Sequence, residues 1–518
     1  MAIVEALPVT ALPPSLRDNT ADLDRLLRAI AAQVGEVALV APWREAGRVA
    51  KQFRAAGFSG VALVNRREGR LEVVDLLPDP PAILPAMALD LGTTYLEGSL
   101  VDLLSGRRLA QAHALNGQTR FGDDVLTRIH TAGRGNGLAD LREAVTASSN
   151  GLAAELARSI GCEPQAIRAM SVSGNPTMVH LFLGLDPYHL CREPYIPQVN
   201  DPDTVSAHEL GVAIHPAAPV FTLPGVGSYF GGDLIAGILA SGLDQQEETA
   251  MLIDVGTNAE VVLGNREWLI ACAGAAGPAL EGGVARMGMR AGPGAIEHVA
   301  IDPETWAVSF QTIDHLPPCG LCGSGIIDLV AGLYLARIID RRGKFRPGAD
   351  PDRLGPGEEG LCYTVVPAAE AAEGRAVTLG QVDLDALMRS KAAMYAILST
   401  LTSQVGVSFA DLHRIHVAGA FGRHIDPRRA ITLGMLPDLP LEVYRPIGNS
   451  SLSGAELVLR DDTARDRCRR ITQAITYVEL NVNQEFMLRF SGAKFIPHTN
   501  QGLFPSVPVF DEGLAASR

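Results

Sequence analysis

Two carboxylates, Asp90 and Asp254, stand in the same short phrase: Ala88-Leu-Asp-Leu-Gly-Thr-Thr-Tyr95 and Leu252-Ile-Asp-Val-Gly-Thr-Asn-Ala259. In each copy an apolar run delivers Asp-x-Gly-Thr, and a second apolar run follows, Leu96 to Leu104 and Glu260 to Leu263. The pattern predicts a β-hairpin whose tip carries a carboxylate, a glycine, a hydroxyl and exposed backbone N–H groups. Such a tip suits phosphate. Gly92 and Gly256 can take positive φ, turning successive N–H groups inward into an anion-binding nest. Thr93, Thr94, Thr257 and Asn258 add side-chain donors at the same point. Asp90 and Asp254 would repel phosphate unless a cation stands between them, and a partly hydrated magnesium ion on one or two carboxylates meets that need. One Asp-x-Gly-Thr is equally an ordinary turn. Its repetition in matching strand contexts favours two tips gripping a polyphosphate from both sides. No Walker A loop competes, since Gly-x-x-x-x-Gly-Lys-Ser/Thr occurs nowhere. The four lysines, Lys51, Lys344, Lys391 and Lys494, lie away from any glycine-rich strand-to-helix turn.

The elements that must hold these tips follow from composition and periodicity. A chain of 518 residues has room for two or three domains with substantial cores. A net charge of −14 with 47% hydrophobic residues describes a folded, acidic protein and argues against a large nucleic-acid footprint. The N-terminus has no basic region leading into a long apolar core, no stretch reaches the length of an apolar membrane span, and seven scattered cysteines form no disulfide framework. The expectation is a cytoplasmic protein. Residues 1–85 read as a small α/β unit: a helix capped by Asn19 or Thr20, a strand at 37–41, a helix near 44–56, a hairpin of 60–65 with 71–77, and a proline-rich linker from Pro78 to Pro85. From 86 to 518 strands and helices alternate. Helices are expected near 123–131, 139–160, 324–339 and 381–405, and a buried strand from Arg414 meets a glycine turn at 419–422. Two similar α/β halves around the two tips are the economical architecture. Glycine clusters at 225–237, 274–294, 320–325 and 419–422 mark close approach of backbone to a ligand or of helix to strand.

Further phrases accompany the tips: Asn116-Gly-Gln, Phe121-Gly-Asp-Asp-Val-Leu-Thr-Arg-Ile129, Gly174-Asn-Pro-Thr-Met-Val-His-Leu181, Gly231-Gly-Asp-Leu-Ile-Ala-Gly237 and Ala275-Ala-Gly-Pro-Ala-Leu-Glu-Gly282. They continue with Gly320-Leu-Cys-Gly-Ser-Gly-Ile-Ile-Asp328, Val417-Ala-Gly-Ala-Phe-Gly422 and Gly448-Asn-Ser-Ser-Leu-Ser-Gly-Ala455. In this order, over roughly 86–490, the chain resembles the acetate and sugar kinase/Hsp70/actin superfamily, and more narrowly the ATP-dependent reductive activators of corrinoid proteins. Residues 12–85 resemble the small middle domain that precedes the ATPase in that family.

The resemblance implies a duplicated RNase H-like, actin-like ATPase of two lobes, using ATP and Mg2+ and closing over nucleotide as it docks on a corrinoid protein or corrinoid-dependent methyltransferase. That partner would be returned from Co(II) to Co(I) with electrons from a ferredoxin-type donor. It implies no nucleic acid and no membrane, and leaves a homodimer open. Family members usually begin with a [2Fe–2S] ferredoxin domain on four cysteines. None is present before Cys162, so the cluster is expected on a missing N-terminal domain or a separate protein. By the same resemblance Gly277 would border the nucleotide. Glu281 would orient the attacking water or hold magnesium through water, or else only begin a helix. Asp254 would take part in catalysis as well as metal binding. Gly419, Ala420, Phe421 and Gly422 would form the adenosine wall, and Asn449 would touch the nucleotide or cap the next helix. Asp124 reads as a helix start, Cys319 and Cys322 as packed core, and His180, His315, His416 and His424 as structural. Ala259 stands where the family commonly has glycine and would be strained if that position needs positive φ. The rival readings are a small-molecule kinase on the same fold and a chaperone-like binding module.

Overall fold

The chain divides into two units, Met1–Ala240 with Ser450–Gln473, and Ser241–Asn449 with Ala474–Arg518. The computed structural model describes residues 1–35, 38–67, 69–256, 259–274, 285–480 and 483–510, with the side chains of all of these but 420, 421 and 423.

The first unit opens with β1 (Val4–Thr10), α1 (Asp22–Val34), β2 (Ala38–Val40), α2 (Trp43–Ala55), β3 (Ser59–Arg67) and β4 (Arg70–Leu77). These strands pair in the order β1-β3-β4-β2. Leu26 and Ile30 of α1 and Val49 and Phe53 of α2 bury their side chains in one core with Val64, Leu71 and Val73 of the sheet. The helical spacing of those four apolar residues is what commits both helices to one sheet face. Neither Asn19 nor Thr20 caps α1. Ala21 holds that position with no side-chain cap. Asp18 takes Thr20 instead, accepting from its backbone N at 3.1 Å and its Oγ at 2.7 Å while bonding Arg25 Nη1 at 2.6 Å. Asp22 and Asp24 in the first turn complement the helix dipole in place of a cap.

The small sheet is fastened to the rest of its unit by a buried carboxylate. Asp75 on β4 lies 2.5 Å from Arg48 Nη1, 2.9 Å from Arg168 Nη2 and 3.4 Å from His215 Nε2. Burial pushes its carboxyl up, but the hydrogen bond from Arg48 and the nearby Arg168 and His215 more than offset this and hold it below the usual range.

Next come β5 (Pro85–Leu91), β6 (Tyr95–Asp102), β7 (Arg108–Leu115), α3 (Val125–Ala132), α4 (Gly137–Ser159), β8 (Met170–Gly174), α5 (Pro176–Leu183), β9 (Val205–Ser206), α6 (Ala207–Leu210), β10 (Pro219–Thr222) and α7 (Gly232–Ser241). The sheet order is β7-β6-β5-β8-β10-β9. The hairpins β5–β6 and β6–β7 are antiparallel, and β8 runs parallel to both β5 and β10.

The second unit contains β11 (Ala250–Val255), β12 (Ala259–Gly264), β13 (Leu269–Gly274), β14 (Ala295–Ile301), β15 (Val308–Thr312), β16 (Gly320–Leu321), α8 (Gly323–Leu335), β17 (Leu354–Gly357), β18 (Gly360–Val366), β19 (Val377–Gly380), α9 (Gln381–Gln404), β20 (Arg414–Ala418), α10 (Gly419–His424), α11 (Pro427–Leu433) and β21 (Tyr444–Gly448). The chain then returns to the first unit with α12 (Ser450–Arg460) and α13 (Asp462–Ala474), and ends in the second with β22 (Ile475–Tyr477) and α14 (Gln484–Ala493). The second main sheet is ordered β21-β20-β11-β12-β13-β22. Read from its other edge, β13-β12-β11-β20-β21 repeats β7-β6-β5-β8-β10, with the same antiparallel hairpins and parallel crossovers. The repeated phrase of the sequence is therefore a repeated fold, RNase H-like in each unit.

Opposite faces of the first sheet carry α4 and α12. Gly98 points at Leu152 and Leu156 of α4, whereas the next residue, Ser99, donates to Glu456 of α12 at 2.6 Å. Neighbouring strand residues face opposite ways, so the two helices lie on opposite sides. Among the described residues no helix is long and apolar enough to cross a membrane.

Candidate functional site

Asp90 is the last residue but one of β5, opposite Glu97 of β6 and beside Ser173 of the parallel strand β8. The tip Gly92-Thr93-Thr94 follows. Asn116 holds this tip by its backbone N, which donates to the Thr94 carbonyl at 2.8 Å, and by Nδ2, which donates to the Gly92 carbonyl at 2.9 Å. Asn175 does two things at once. Its Oδ1 caps α5 by accepting from Met178 N, and its Nδ2 donates to Thr93 Oγ1 at 3.2 Å. Ser451, in the first turn of α12, donates to Asp90 Oδ1 at 2.7 Å and stands 2.9 Å from Ser173 Oγ. The carboxylate is thus oriented by the Ser451 hydroxyl, which Ser173 holds in turn.

Gly92 is needed for a different reason than expected. Its φ is outside the left-handed region, but an added Cβ would fall well inside van der Waals contact of the Tyr95 carbonyl. The turn requires room at Gly92, not a positive φ.

Asp254 occupies the matching place in the second unit, opposite Glu260 of β12 and beside Ala418 of the parallel strand β20. Gly256 follows, while Thr257, Asn258, Gly277 and Glu281 lie outside the described residues. Ala259 is a ladder residue of β12, paired with Val255 in the antiparallel hairpin. The glycine turn after β20 is the start of the short helix α10. Gly419 has φ 77°, and a Cβ there would lie 3.1 Å from the Val255 carbonyl and 3.2 Å from Asp254 Oδ1. Of the four residues expected to wall the adenosine, Gly419 and Gly422 are described in full. The side chains of Ala420 and Phe421 are not. Asn449 directly follows β21 and precedes α12.

Asp124 caps α3, accepting from Thr127 N at 2.9 Å. His180 is buried, with Nδ1 at 2.7 Å from the Pro176 carbonyl and Nε2 accepting from Gln198 N at 3.1 Å, a structural role. Cys322 is buried against the Ile296 carbonyl, whereas Cys319 is exposed, with its Sγ 3.4 Å from Met289 Sδ. Among the described residues no three His, Cys, Asp or Glu side chains converge as a metal cage. Magnesium asks for less, one or two carboxylates with substrate oxygens and water, which Asp90 and Asp254 fit by type.

Asn116, Asn175 and Ser451 bond the candidate site directly, and sequence reasoning gave them no role. Their only signal was membership of the phrases Asn116-Gly-Gln, Gly174-Asn-Pro-Thr and Gly448-Asn-Ser-Ser.

Comparison with known proteins follows the same division. A family model described as the C-terminal domain of RACo, the ASKHA domain, matches residues 248–508. One for the RACo middle region matches residues 85–246, so the small unit that precedes Pro85 lies outside both. The corrinoid activation enzyme RamQ of Eubacterium limosum is 34% identical over 425 residues, covering 80% of this chain and 71% of that protein. The [Co(II) methylated amine-specific corrinoid protein] reductase of Methanosarcina barkeri is 24% identical over 430 residues, 75% of this chain and 72% of its own length. A solved structure, the reductive activator for corrinoid, iron-sulfur protein, is 37% identical and superposes with a TM-score of 0.89 over 98% of this chain and 81% of that one. The paired Asp-x-Gly-Thr hairpins, the duplicated sheet order and these likenesses together place the chain in the RACo family of ASKHA-domain reductive activators of corrinoid proteins.

Proposed function

We propose that this chain is an ATPase that drives the return of an inactivated Co(II) corrinoid protein to the Co(I) state in a methyl-transfer system. The reading is carried by the likeness over 98% of the chain to a solved reductive activator. Residues 86–518 carry the ATPase, and 1–85 form a small α/β domain joined to it. Gly92, Thr93 and Thr94 bind phosphate, with Gly256, Thr257 and Asn258 as their counterparts in the second unit. Asp90 and Asp254 hold magnesium, which when bound neutralises phosphate charge that the carboxylates would otherwise repel. Ser451 orients Asp90, while Asn116 and Asn175 keep the first tip in its bound shape before nucleotide arrives. Glu281 orients the attacking water or holds magnesium through water, Gly277 serves nucleotide binding, Gly419, Ala420, Phe421 and Gly422 border adenosine, and Asn449 touches the nucleotide or caps α12.

Nucleotide is needed because Co(II) reduction is uphill for ordinary cellular donors. In a one-electron step ~59 mV is a factor of ten, so a shift of roughly 200 mV asks for ~5 kcal/mol of coupling between nucleotide binding and the hold on the corrinoid. The electron comes from a ferredoxin-type donor.

Phosphate and ADP release with and without the Co(II) corrinoid protein tests this reading against a kinase. The expected result is hydrolysis stimulated by the corrinoid protein, with no phosphorylated organic product. ADP formed only with a sugar or carboxylic acid acceptor, together with its phosphate ester, would replace the proposal by the kinase reading.

A further inference from the structure

Arg128, on α3, is among the largest fully buried side chains of the protein, at 0% exposure. Its Nε donates to the Gly122 carbonyl at 2.9 Å, and its Nη1 reaches Gln118 Oε1 at 3.2 Å and Met178 Sδ at 3.2 Å. Its Nη2 is buried with no hydrogen-bond partner. All three partners are neutral. Burial pulls the guanidinium down to about 10 against the opposing pull of Asp123 and Asp124, which leaves it charged at neutral pH. Buried cations are ordinarily paired with a carboxylate, because an uncompensated charge in the interior is costly.

The neighbours of Arg128 lead to one place. Gln118, which accepts from Nη1, donates its backbone N to Asn116 Oδ1 at 3.0 Å, and Asn116 holds the Gly92 and Thr94 carbonyls. Met178, on the other side, donates its backbone N to Asn175 Oδ1, and Asn175 holds Thr93. Two relays therefore run from one unpaired cation to all three residues of the first phosphate tip. That tip has no lysine, and the four lysines of the chain belong elsewhere.

We propose that Arg128 is a positioning residue for the nucleotide phosphates, which braces the Gly92-Thr93-Thr94 tip through Asn116 and Asn175 and supplies from behind it the positive field that a phosphate-binding lysine supplies by contact. The proposal rests on the phosphate role assigned to this tip above. A charge buried in a low-dielectric interior acts over a longer distance than one in water, so no direct contact is needed. Asp123 and Asp124 attract Arg128 from exposed positions, and the bound polyanion adds counter-charge to theirs.

The test separates field from brace. Gln118→Glu puts a carboxylate at the Arg128 guanidinium without removing it. Calorimetric titration of the whole chain with ATP, ADP and AMP then reads the dependence on ligand charge. The field predicts affinity losses graded with phosphate charge, about tenfold for ATP, less for ADP and within about twofold for AMP. An equal loss for all three, or none, in a variant that still melts cooperatively would overturn it. Should Gln118→Glu fail to fold, Arg128→Gln removes the charge outright, since a lysine buried there would tend to give up its proton. The affinity losses should then be graded, ATP over ADP over AMP, and equal losses for all three, or none, would overturn the proposal. If wild type binds no nucleotide, the ATPase reading itself fails, a separate outcome from wild type binding normally with no grading in the variant.

Discussion

Asp90 is oriented by a hydroxyl that lies 361 residues further along the chain, on Ser451. The carboxylate, the glycine and the threonines of the tip were legible in the sequence because a hairpin writes its chemistry into consecutive residues. Ser451, Asn116 and Asn175 were not, because a side chain that bonds a distant backbone or carboxylate leaves no periodic trace. Ser451→Ala leaves Asp90 without its 2.7 Å donor, and the magnesium needed for half-maximal ATP binding should rise about tenfold, or ~1.4 kcal/mol, in a metal titration. An unchanged magnesium requirement would mean that Asp90 needs no orienting. Gly92→Ala drives a methyl into the Tyr95 carbonyl, so the tip must open. Stability should fall by about 1–3 kcal/mol in urea titration, with ATP affinity reduced more than about tenfold. Retained affinity would show that the tip tolerates a Cβ and does not shape the phosphate site. The expected positive φ at Gly92 was the wrong reason for the right residue. Sequence marks where glycine is required, but only coordinates separate the need for φ from the need for space.

At the scale of elements, helices and strands were legible wherever apolar periodicity was strong, as in α2, α4, α9 and the β3–β4 hairpin. The start of α1 was not, since Asp18 draws Thr20 into its own turn and away from a capping role. Equally illegible was the buried lock of Asp75, Arg48, Arg168 and His215, which joins a strand of the small sheet to segments far from it in the chain. Asp75→Ala leaves the buried Arg168 guanidinium without its carboxylate, while Arg48 keeps Glu45 at 2.7 Å, and should cost about 3–5 kcal/mol, with Asp75→Ala/Arg168→Met recovering part of the loss by removing the orphaned charge. A denaturation midpoint within error of wild type would show that the lock carries no stability. Two buried histidines, His215 in this lock and His416 on β20, set a pH dependence. Burial pulls His215 down to about 4 against the attraction of Asp75, and burial with Arg414 and Arg445 nearby does the same to His416. Unfolded, both titrate near ~6.5. Between those values the unfolded chain binds protons that the folded chain refuses, so stability rises with pH across the window and falls as pH drops from ~6.5 towards ~4, by on the order of 3 kcal/mol per histidine. The Asp75 carboxyl, held below its ordinary value, loses its contribution only further down and does not mask the effect. Urea midpoints at a series of pH values should show a shallower slope in His215→Gln and in His416→Gln. Slopes equal to wild type would mean that neither imidazole is buried neutral.

For the molecule as a whole, a phrase that occurs twice announced a fold built twice, and the strand orders of the two sheets agree in connection and direction. The return of residues 450–473 to the first unit was not legible. A repeat suggests two consecutive halves, whereas burial of Ser451, Ala455 and Glu456 against β5, β6 and β8 brings the later segment back to the earlier sheet. That return has a functional consequence, since the residue orienting Asp90 arrives on it. If nucleotide binds the folded chain alone, Mg-ATP at about 100 times its dissociation constant should stabilise the protein by ~2.7 kcal/mol, read as a rise in unfolding temperature. No rise at saturating Mg-ATP would count against a nucleotide site in the native protein. Nucleotide binding is necessary to the account but common to its rivals. What separates this chain from those rivals is that ATP is used to make a corrinoid accept an electron. The measurement that tests it most directly follows the corrinoid absorbance, without oxygen, of a Co(II) corrinoid protein from the same methyl-transfer system. It is mixed with this chain and a reduced low-potential ferredoxin, with and without Mg-ATP. The account predicts Co(I) that forms with Mg-ATP and fails to form without it or with Asp90→Asn. Co(I) appearing at the same rate and to the same extent without nucleotide, or ATP consumed with the corrinoid left as Co(II), would contradict it.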